Sequence, residues 1–420
     1  MRACPTQAIR VKDGKARLLP VLCIDCGLCL QVCPSNAIQA TTWSFADSDK
    51  FSYKVAVPAP VLLGQFPMGI SPAHIAAGLR ALGFDAVWDM AVELALVNRA
   101  ILEYVSKREG PHPLLSLYCP VIVRLVQVLY PTMVDQLIRT QLPRELAGRE
   151  LKRKYSQELG IDRREIAAIY ITPCQAKTIS IIEPAEGAKS NLDGALGISD
   201  VYNDILASTH VRDKADVEGG ARGLVGSVEM LRWSKGKGQG RALSQHRYMS
   251  VTGLSNVMQV FDDIEKGKLR NVEYLECYAC LGGCISGNLT VDNPYVTLSK
   301  IHRLLSELPD SDSYLQTELE RRYPDEDLSL GGQIRPRSTE EQTASLQERV
   351  GRIMVEERVG KALPGLDCGL CGAPTCRALA KDVAAGTARQ DECVFFSDER
   401  LKKLRKAYLR DRQPPPDSPS

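Results

Sequence analysis

No stretch of this sequence approaches the ~18 consecutive apolar residues that a bilayer-spanning helix needs. Met1-Arg2-Ala3-Cys4-Pro5 also opens without the apolar segment of a signal peptide. Neither membrane insertion nor secretion is expected, and a cytoplasmic protein is. Charge of one sign is missing too: the formal net charge is +2, with basic residues interspersed among acidic ones. Nucleic acid and anionic membranes are therefore not expected partners. Five histidines (His74, His112, His210, His246, His302) are scattered with no His-Glu-x-x-His pattern, and no metal is assigned to them. Gly236-Lys237-Gly238-Gln239-Gly240 lacks the strand-to-helix setting of a phosphate loop and reads as a flexible basic loop.

Cysteine is what the sequence has in quantity, fourteen in 420 residues. In a cytoplasmic chain clustered cysteines are metal ligands or redox groups before they are disulfides. A hydrophobic content of 44% supports a sizeable core, and the length suits two to four domains. Near the middle of the motif-bearing region lies Glu276-Cys277-Tyr278-Ala279-Cys280-Leu281-Gly282-Gly283-Cys284-Ile285-Ser286-Gly287. Glycine lets a bulky ligand come close to main chain, and thiolates are the soft ligands of iron clusters. Alone, the Cys-x-x-x-Cys spacing reads equally as buried thiols in a turn.

Residues 1–40 repeat a phrase, Cys4-Pro5-Thr6-Gln7-Ala8-Ile9 and Cys33-Pro34-Ser35-Asn36-Ala37-Ile38, as a duplicated unit would. Asp13-Gly14 between short alternating runs predicts a hairpin. Cys23-x-x-Cys26-x-x-Cys29-x-x-x-Cys33-Pro34 follows and resembles the motif of bacterial two-cluster ferredoxins. In that family the fourth cysteine of each motif serves the other motif's cluster. Here only the last cysteine of the first motif is present, so Cys4, Cys23, Cys26 and Cys29 are expected to hold one 4Fe-4S cluster, with Cys33 outside it. This points either to a start downstream of the natural one or to a true single-cluster variant; a zinc site is the competing reading of the spacing.

From 45 to 307 short apolar runs alternate with helical patterns. Lys54 to Val57, Ala86 to Trp88, Leu114 to Tyr118 and Ile166 to Thr172 predict strands, and Ser71 caps a helix predicted over Pro72 to Leu82. This predicts an α/β domain with a parallel sheet and a crevice at the carboxyl ends of its strands. Cys119 and Cys174 close two of the runs, so these two and Cys280 and Cys284 are expected either to converge at one sheet edge or to be separate structural cysteines.

Three motifs in order, Tyr118-Cys119-Pro120, Pro173-Cys174-Gln175-Ala176-Lys177 and Glu276 to Gly287, resemble the signatures of the FeFe hydrogenases. The resemblance implies an H-cluster: a cubane on Cys119, Cys174, Cys280 and Cys284, with Cys284 bridging to a two-iron subsite that carries CO and cyanide. It also implies that Lys177 contacts a cyanide and that Ala59-Pro60 forms the loop over the two irons. Read without the resemblance, Lys177 is a surface lysine in a first helical turn and Pro60 a strand-ending turn.

Departures from the family fall on the proton side. Tyr118 stands where hydrogen-producing members have a relay thiol, and a phenol with a reference pKa of about 10 is a poorer relay than a thiol of about 8.5. Tyr118 reads equally as a packing residue. Tyr278 replaces a usual methionine, Ile122 a tryptophan and Ser180 an acidic residue. Glu93 is the carboxylate singled out for an alternative proton path, and Cys277 is an extra thiol that relays or packs.

Residues 308–340 are polar and turn-rich, a linker. In 341–400 a helical pattern over Glu340 to Leu363 precedes Cys368-x2-Cys371-x4-Cys376-x16-Cys393, with a helix predicted over Arg377 to Ala385. The cysteine set resembles a small four-iron domain found in redox subunits and in corrinoid iron-sulfur proteins; a zinc site or a thioredoxin-type pair is the alternative. Residues 401–420 read as a basic helix and a disordered tail. The expected architecture is a parallel-sheet α/β catalytic domain flanked by an α+β ferredoxin-like segment and a small, mostly α, iron-sulfur domain. Three 4Fe-4S clusters would use twelve of the fourteen cysteines. The three-part arrangement with the relay thiol missing resembles the sensory subgroup of the FeFe hydrogenases. The expected function is therefore reversible interconversion of H2 and protons, slow and used for H2 or redox sensing, with a non-catalytic iron-sulfur electron-transfer or signalling protein lacking a functional two-iron site as the alternative. Expected partners are a ferredoxin-type redox protein or a signalling protein, together with maturation enzymes.

Overall fold

A computed structural model describes residues 1–107, 113–209, 224, 227–239, 243, 247–308, 313–337, 345–397 and 401–403. Its contacts divide the chain into two units, one of Met1–Cys23, Val32–Pro34 and Arg337–Ser420, the other of Ile24–Gln31 and Ser35–Pro336.

The first unit joins the two ends of the chain. Strands β1 (Ile9–Lys12) and β2 (Lys15–Leu18) form the hairpin expected at Asp13-Gly14. Both turn residues have positive φ, 54° and 72°, the conformation that a two-residue hairpin loop demands. The helix Leu346–Ala362 starts at a capping box on Ser345 and packs Val359 with Ala378, Leu379 and Ala380 of the helix Cys376–Ala384. Cys393 is buried in the same small core. By sequence, segment 1–40 and domain 341–400 are separate domains; by contacts residues 1–23 and 32–34 group with 337–420, while 24–31 and 35–40 group with the second unit. The expected basic helix and tail lie outside the described residues except for 401–403, which are helical.

In the second unit the expected parallel sheet is two sheets. One orders β4 (Ala86–Val87), β3 (Tyr53–Pro58), β6 (Ile166–Thr172) and β7 (Gly194–Gly197); the other orders β5 (Leu114–Leu115), β9 (Tyr274–Tyr278) and β8 (Tyr248–Thr252). Every pairing in both is parallel. β6 explains why the four-stranded sheet is central. All seven of its residues, Ile-Ala-Ala-Ile-Tyr-Ile-Thr, are buried, as in a parallel strand covered on both faces. It pairs with β3 from Tyr53↔Ile166 to Pro58↔Ile171. Each Ile or Val buried there contributes roughly 1.5–3 kcal/mol relative to exposure.

Helices supply the crossovers between these parallel strands. Pro72–Ala81 begins at Ser71, whose hydroxyl accepts from the His74 amide, and Pro143–Leu159 ends at Gly160 in the left-handed region. Among the described residues no helix is long and apolar enough to cross a membrane.

Candidate metal centre

Parallel strands expose their carboxyl ends together, and the second unit's candidate ligands lie there. Cys174 follows β6 and opens the helix Gln175–Ile182; Cys119 follows β5 and opens Pro120–Leu129; Cys280 and Cys284 follow β9. The four thiols therefore gather where two sheets end, not at the edge of one sheet as expected. No disulfide ties any of them. They sense one another: burial first, then Cys284 and Cys174, push Cys119 up to about 11. Cys280 is raised by burial and then by Cys174, Cys119 and Cys284. Closely set, dehydrated thiols of this kind suit a cluster that takes them as thiolates.

Glycines let the motifs close on each other. Gly282 and Gly283 have φ of 79° and 96°, and a Cβ on Gly283 would lie 2.5 Å from the Gly236 nitrogen. The bulk that approaches this Gly-Gly pair is thus the Lys235-Gly236 backbone, where the sequence suggested a ligand. Gly287 performs the same service for the second motif, since a Cβ there would lie 2.3 Å from the Pro173 carbonyl oxygen.

Lys177 is buried, not a surface lysine. Its Nζ donates to Cys284 Sγ at 3.1 Å and sits 4.6 Å from the centre of the Tyr118 ring. Burial works against the ammonium, yet Cys284 and the phenols of Tyr118 and Tyr170 hold its pKa above the usual lysine value. Ala59 and Pro60, also buried, extend β3 beside the second motif, with the Ala59 amide on the Ile171 carbonyl at 3.0 Å.

Aromatic rings pack around Tyr118. Tyr118 meets Trp233 edge-on at 4.7 Å and Tyr278 at 6.0 Å, and burial raises its pKa well above 10.0. Ile122 is fully buried. Ser180 donates to the Lys177 carbonyl and accepts from Arg144 Nη2 at 3.0 Å. Cys277 is a buried strand residue whose thiol is raised by burial and by Cys119.

Glu93 keeps other company. It accepts from Arg322 at 2.9 Å and from the Trp88 indole at 3.3 Å, which makes it a buried ion-pair partner. Among the described residues neither of these hydrogen bonds reaches a candidate cysteine or Tyr118.

Sequence reasoning missed a buried polar chain. Glu276 is fully buried in β9 and accepts from the hydroxyls of Tyr248 and Tyr278 and from the Gly238 amide. Gln239 accepts from Tyr274 and donates to Ser116. Residues 236–239 thus lie over the third motif, with the Gly238 and Gln239 amides donating to the Glu276 carboxylate; Gly240 lies outside the described residues. Burial raises the Glu276 carboxyl above 4.5.

A second missed feature is an amide clamp between Ile24–Gln31 and the rest of this unit. Gln175 Nε2 donates to the Asp25 carbonyl at 2.6 Å, and Asn288 Nδ2 to the Cys26 carbonyl at 3.3 Å and to Gln175 Oε1 at 3.2 Å. Arg124 pairs with Asp25 at 2.7 Å. The only sequence sign of this clamp was polar residues in ligand-bearing motifs.

In the first unit Cys368, Cys371, Cys376 and Cys393 line one small enclosed cavity with Gly369, Ala373 and Leu379. Burial first, then Cys368 and Cys376, raise Cys371, and burial first, then the other three cysteines, raise Cys393. Four thiols without a histidine, shielded by apolar side chains, are the donor set that a cubane takes. Among the described residues no three His, Cys, Asp or Glu side chains surround a single ion position; a cubane spreads its thiolates over four corners. Cys4 Sγ accepts from the Ala8 amide at 3.2 Å. Cys4 and Cys23 belong to the first unit, Cys26 and Cys29 to the second. His74 and His302 serve local hydrogen bonds, to Ser71 and Lys235; His112, His210 and His246 lie outside the described residues.

Comparison with known proteins agrees with this geometry. Residues 52–216 and 222–288 match the family described as "Iron only hydrogenase large subunit, C-terminal domain". Residues 19–39 match the family described as "4Fe-4S binding domain", and 363–395 the one described as "Putative Fe-S cluster". Similar curated proteins include the NADP-reducing hydrogenase subunit HndD of Solidesulfovibrio fructosivorans, 29% identical over 42% of this chain and 34% of that protein. Iron hydrogenase 1 of Clostridium pasteurianum is 23% identical over 61% of this chain and 52% of its own. The chain thus spans a third to a half of the length of these relatives. The cytosolic Fe-S cluster assembly factor NAR1 of Candida dubliniensis is 27% identical over 25% of this chain and 18% of its own. In fold, FeFe-hydrogenase HydA1 of Chlamydomonas reinhardtii matches with a TM-score of 0.52 at 16% identity, over 68% of this chain and 95% of that one. With its three cysteine motifs folded together and its family match covering over half its length, the chain belongs to the iron-only hydrogenase large-subunit family.

Proposed function

We propose that the protein is a cytoplasmic iron-sulfur redox protein that interconverts H2 with protons and electrons slowly, and that this serves H2 or redox sensing. The observation that carries the reading is the gathering of Cys119, Cys174, Cys280 and Cys284 around a buried Lys177 that donates to Cys284. These thiols would hold the cubane, and Cys284 would also join it to a two-iron subsite with CO and cyanide. When bound, that group supplies the redox chemistry of H2.

The chain's own residues do the rest. Lys177 offers a dehydrated cation, which binds an anionic ligand far more firmly than an exposed one. Ala59-Pro60 and the Lys235-Gly236 backbone pack against the second and third motifs. Tyr118 holds its proton tightly in its buried pocket, so proton exchange through it is unfavourable near neutral pH. That is the reason for expecting slow turnover. A ferredoxin-type carrier or a signalling protein would exchange electrons with the clusters, and maturation enzymes would install the two-iron subsite.

A second reading is a non-catalytic iron-sulfur protein that holds cubanes alone. The aromatic filling by Tyr118, Trp233 and Tyr278 favours it, as does the similarity to a protein named as an Fe-S assembly factor. Infrared spectroscopy after exposure to maturation enzymes separates the two. CO and cyanide bands with slow H2 turnover support the first reading. A protein loaded with about twelve irons as three cubanes but lacking those bands supports the second. Loss of the bands in Cys284→Ala is expected; their full retention would refute the ligand assignment.

A further inference from the structure

We propose that the helix Leu346–Ala362 of the first unit is the interface of a homodimer, in which two copies of the chain pair this helix antiparallel about a two-fold axis. The inference stands on this helix alone and goes beyond the proposed function.

The helix carries apolar side chains on two faces. On one, Val355 and Val359 belong to the small core with Ala378, Leu379 and Ala380. On the other, Leu346, Val350, Ile353 and Met354 recur at steps of four, three and one residues, which set side chains along one side of a helix. These four are between 48% and 70% exposed. The helix cannot turn to hide them, because turning would bring Val359, now 2% exposed, out into water. Single apolar residues on a surface are ordinary, whereas a continuous stripe of four large ones marks an interaction surface.

The steps from Leu346 to Val350 and on to Ile353 are those at which paired helices place their seam. Charge then selects the occupant. Arg349, exposed, flanks the stripe near its start, and Glu356 and Glu357 follow two turns later. With a second copy running antiparallel and Val350 level with Ile353 of that copy, each Arg349 comes within a turn of Glu356 and Glu357 of the other copy. The two-fold axis makes this two equivalent sets of opposite charges, as a self-complementary contact requires. Glu356 accepts from Arg377 through Oε1 at 3.1 Å, which leaves its other oxygen for an incoming guanidinium. Glu357 lies 3.9 Å from Lys361 in its own helix and is itself exposed. A parallel pair would instead set Glu357 against Glu357 in the seam, and like charges in contact oppose association.

The size of the stripe sets the strength of the dimer. Four side chains per copy cover less than the ~800 Å² per partner of a standard interface. The dimer is therefore weak and reversible.

The test is sedimentation velocity on the intact protein as isolated, from about 1 to 100 μM, where an interface this small is expected to dissociate. Wild type should run as a dimer at the top of the range and as a monomer at the bottom. Val350→Glu with Ile353→Glu should be monomeric throughout, with melting temperature and iron content unchanged, because both side chains face water in the single chain. Arg349→Glu should weaken the dimer several-fold, most strongly at low salt. A wild type that stays monomeric, or a dimer that survives in Val350→Glu with Ile353→Glu, overturns the proposal. A dimer indifferent to Arg349→Glu overturns the antiparallel pairing. Dimerisation that starts only when residues 404–420 are removed would give the stripe to that segment of the same chain and overturn the proposal too. Dilution of unaltered protein, together with the surface variant Arg349→Glu, decides the matter even where the double variant fails to fold.

Discussion

Replacing Gly283 by alanine tests whether the third cysteine motif is shaped by backbone packing. Two costs add at this position. Holding a non-glycine residue at φ 96° costs of order 1–2 kcal/mol. The new methyl would lie 2.5 Å from the Gly236 nitrogen and 2.7 Å from the Lys235 carbonyl carbon. Both are main-chain atoms, which cannot swing aside as a side-chain tip can, and overpacking of this kind costs roughly 1–3 kcal/mol. The total is about 2–5 kcal/mol. Unfolding entropy of about 2.1 cal/mol/K per residue over roughly 300 residues gives roughly 0.6 kcal/mol/K, hence a fall in Tm of about 3–8 °C. Differential scanning calorimetry on the apoprotein measures it without interference from iron. Gly331→Ala is the control, since its Cβ would meet nothing within 4 Å. Equal melting of the two variants would refute the packing argument. Iron loading should fall in Gly283→Ala as well, because the displaced backbone carries both Cys280 and Cys284.

Three further outcomes are expected. Arg322→Met leaves Glu93 buried without its counter-charge and should destabilise by about 3–5 kcal/mol, while adding Glu93→Gln restores most of that; denaturant melts of the two variants should differ, and identical losses would sink the ion-pair account. Glu276 has a folded pKa raised by burial from 4.5, so its contribution to stability is complete below about pH 4.5 and is lost as pH rises through the raised folded value. Thermal melts across pH should show that decline, and Glu276→Gln should flatten it; an unchanged slope would count against it. Gln175→Leu with Asn288→Leu removes the amide clamp on the Asp25 and Cys26 carbonyls. Hydrogen exchange over 24–31 should then speed up several-fold, as expected when backbone hydrogen bonds open more readily; unchanged protection would refute the clamp.

Much of this protein was legible before folding was considered. Cysteine spacing marked the metal-binding segments because ligand sets are local phrases, and β6 was readable to the residue because a strand buried on both faces must be apolar throughout. The Asp13-Gly14 hairpin and the Ser71 cap were equally plain, since turn and cap chemistry acts over two to four residues. Lys177 was less so: a lysine in a first helical turn looks solvent-exposed until Cys284, over a hundred residues away, is placed beside it. Glu93 was equally illegible in its surroundings, since its ion-pair partner Arg322 arrives from a distant helix.

The sequence by itself marked the segments that match iron-sulfur families and the central buried strands β3 and β6. Tertiary structure alone decided the rest. It split the expected sheet in two and put the cysteines between the pair. It set the loop 236–239 over Glu276 and made one unit from the two ends of the chain. The physical reason is common to all four: each depends on close approach between backbone or charged groups far apart in sequence. Glycine and buried charge permit such approaches, but nothing in a linear string names the partner.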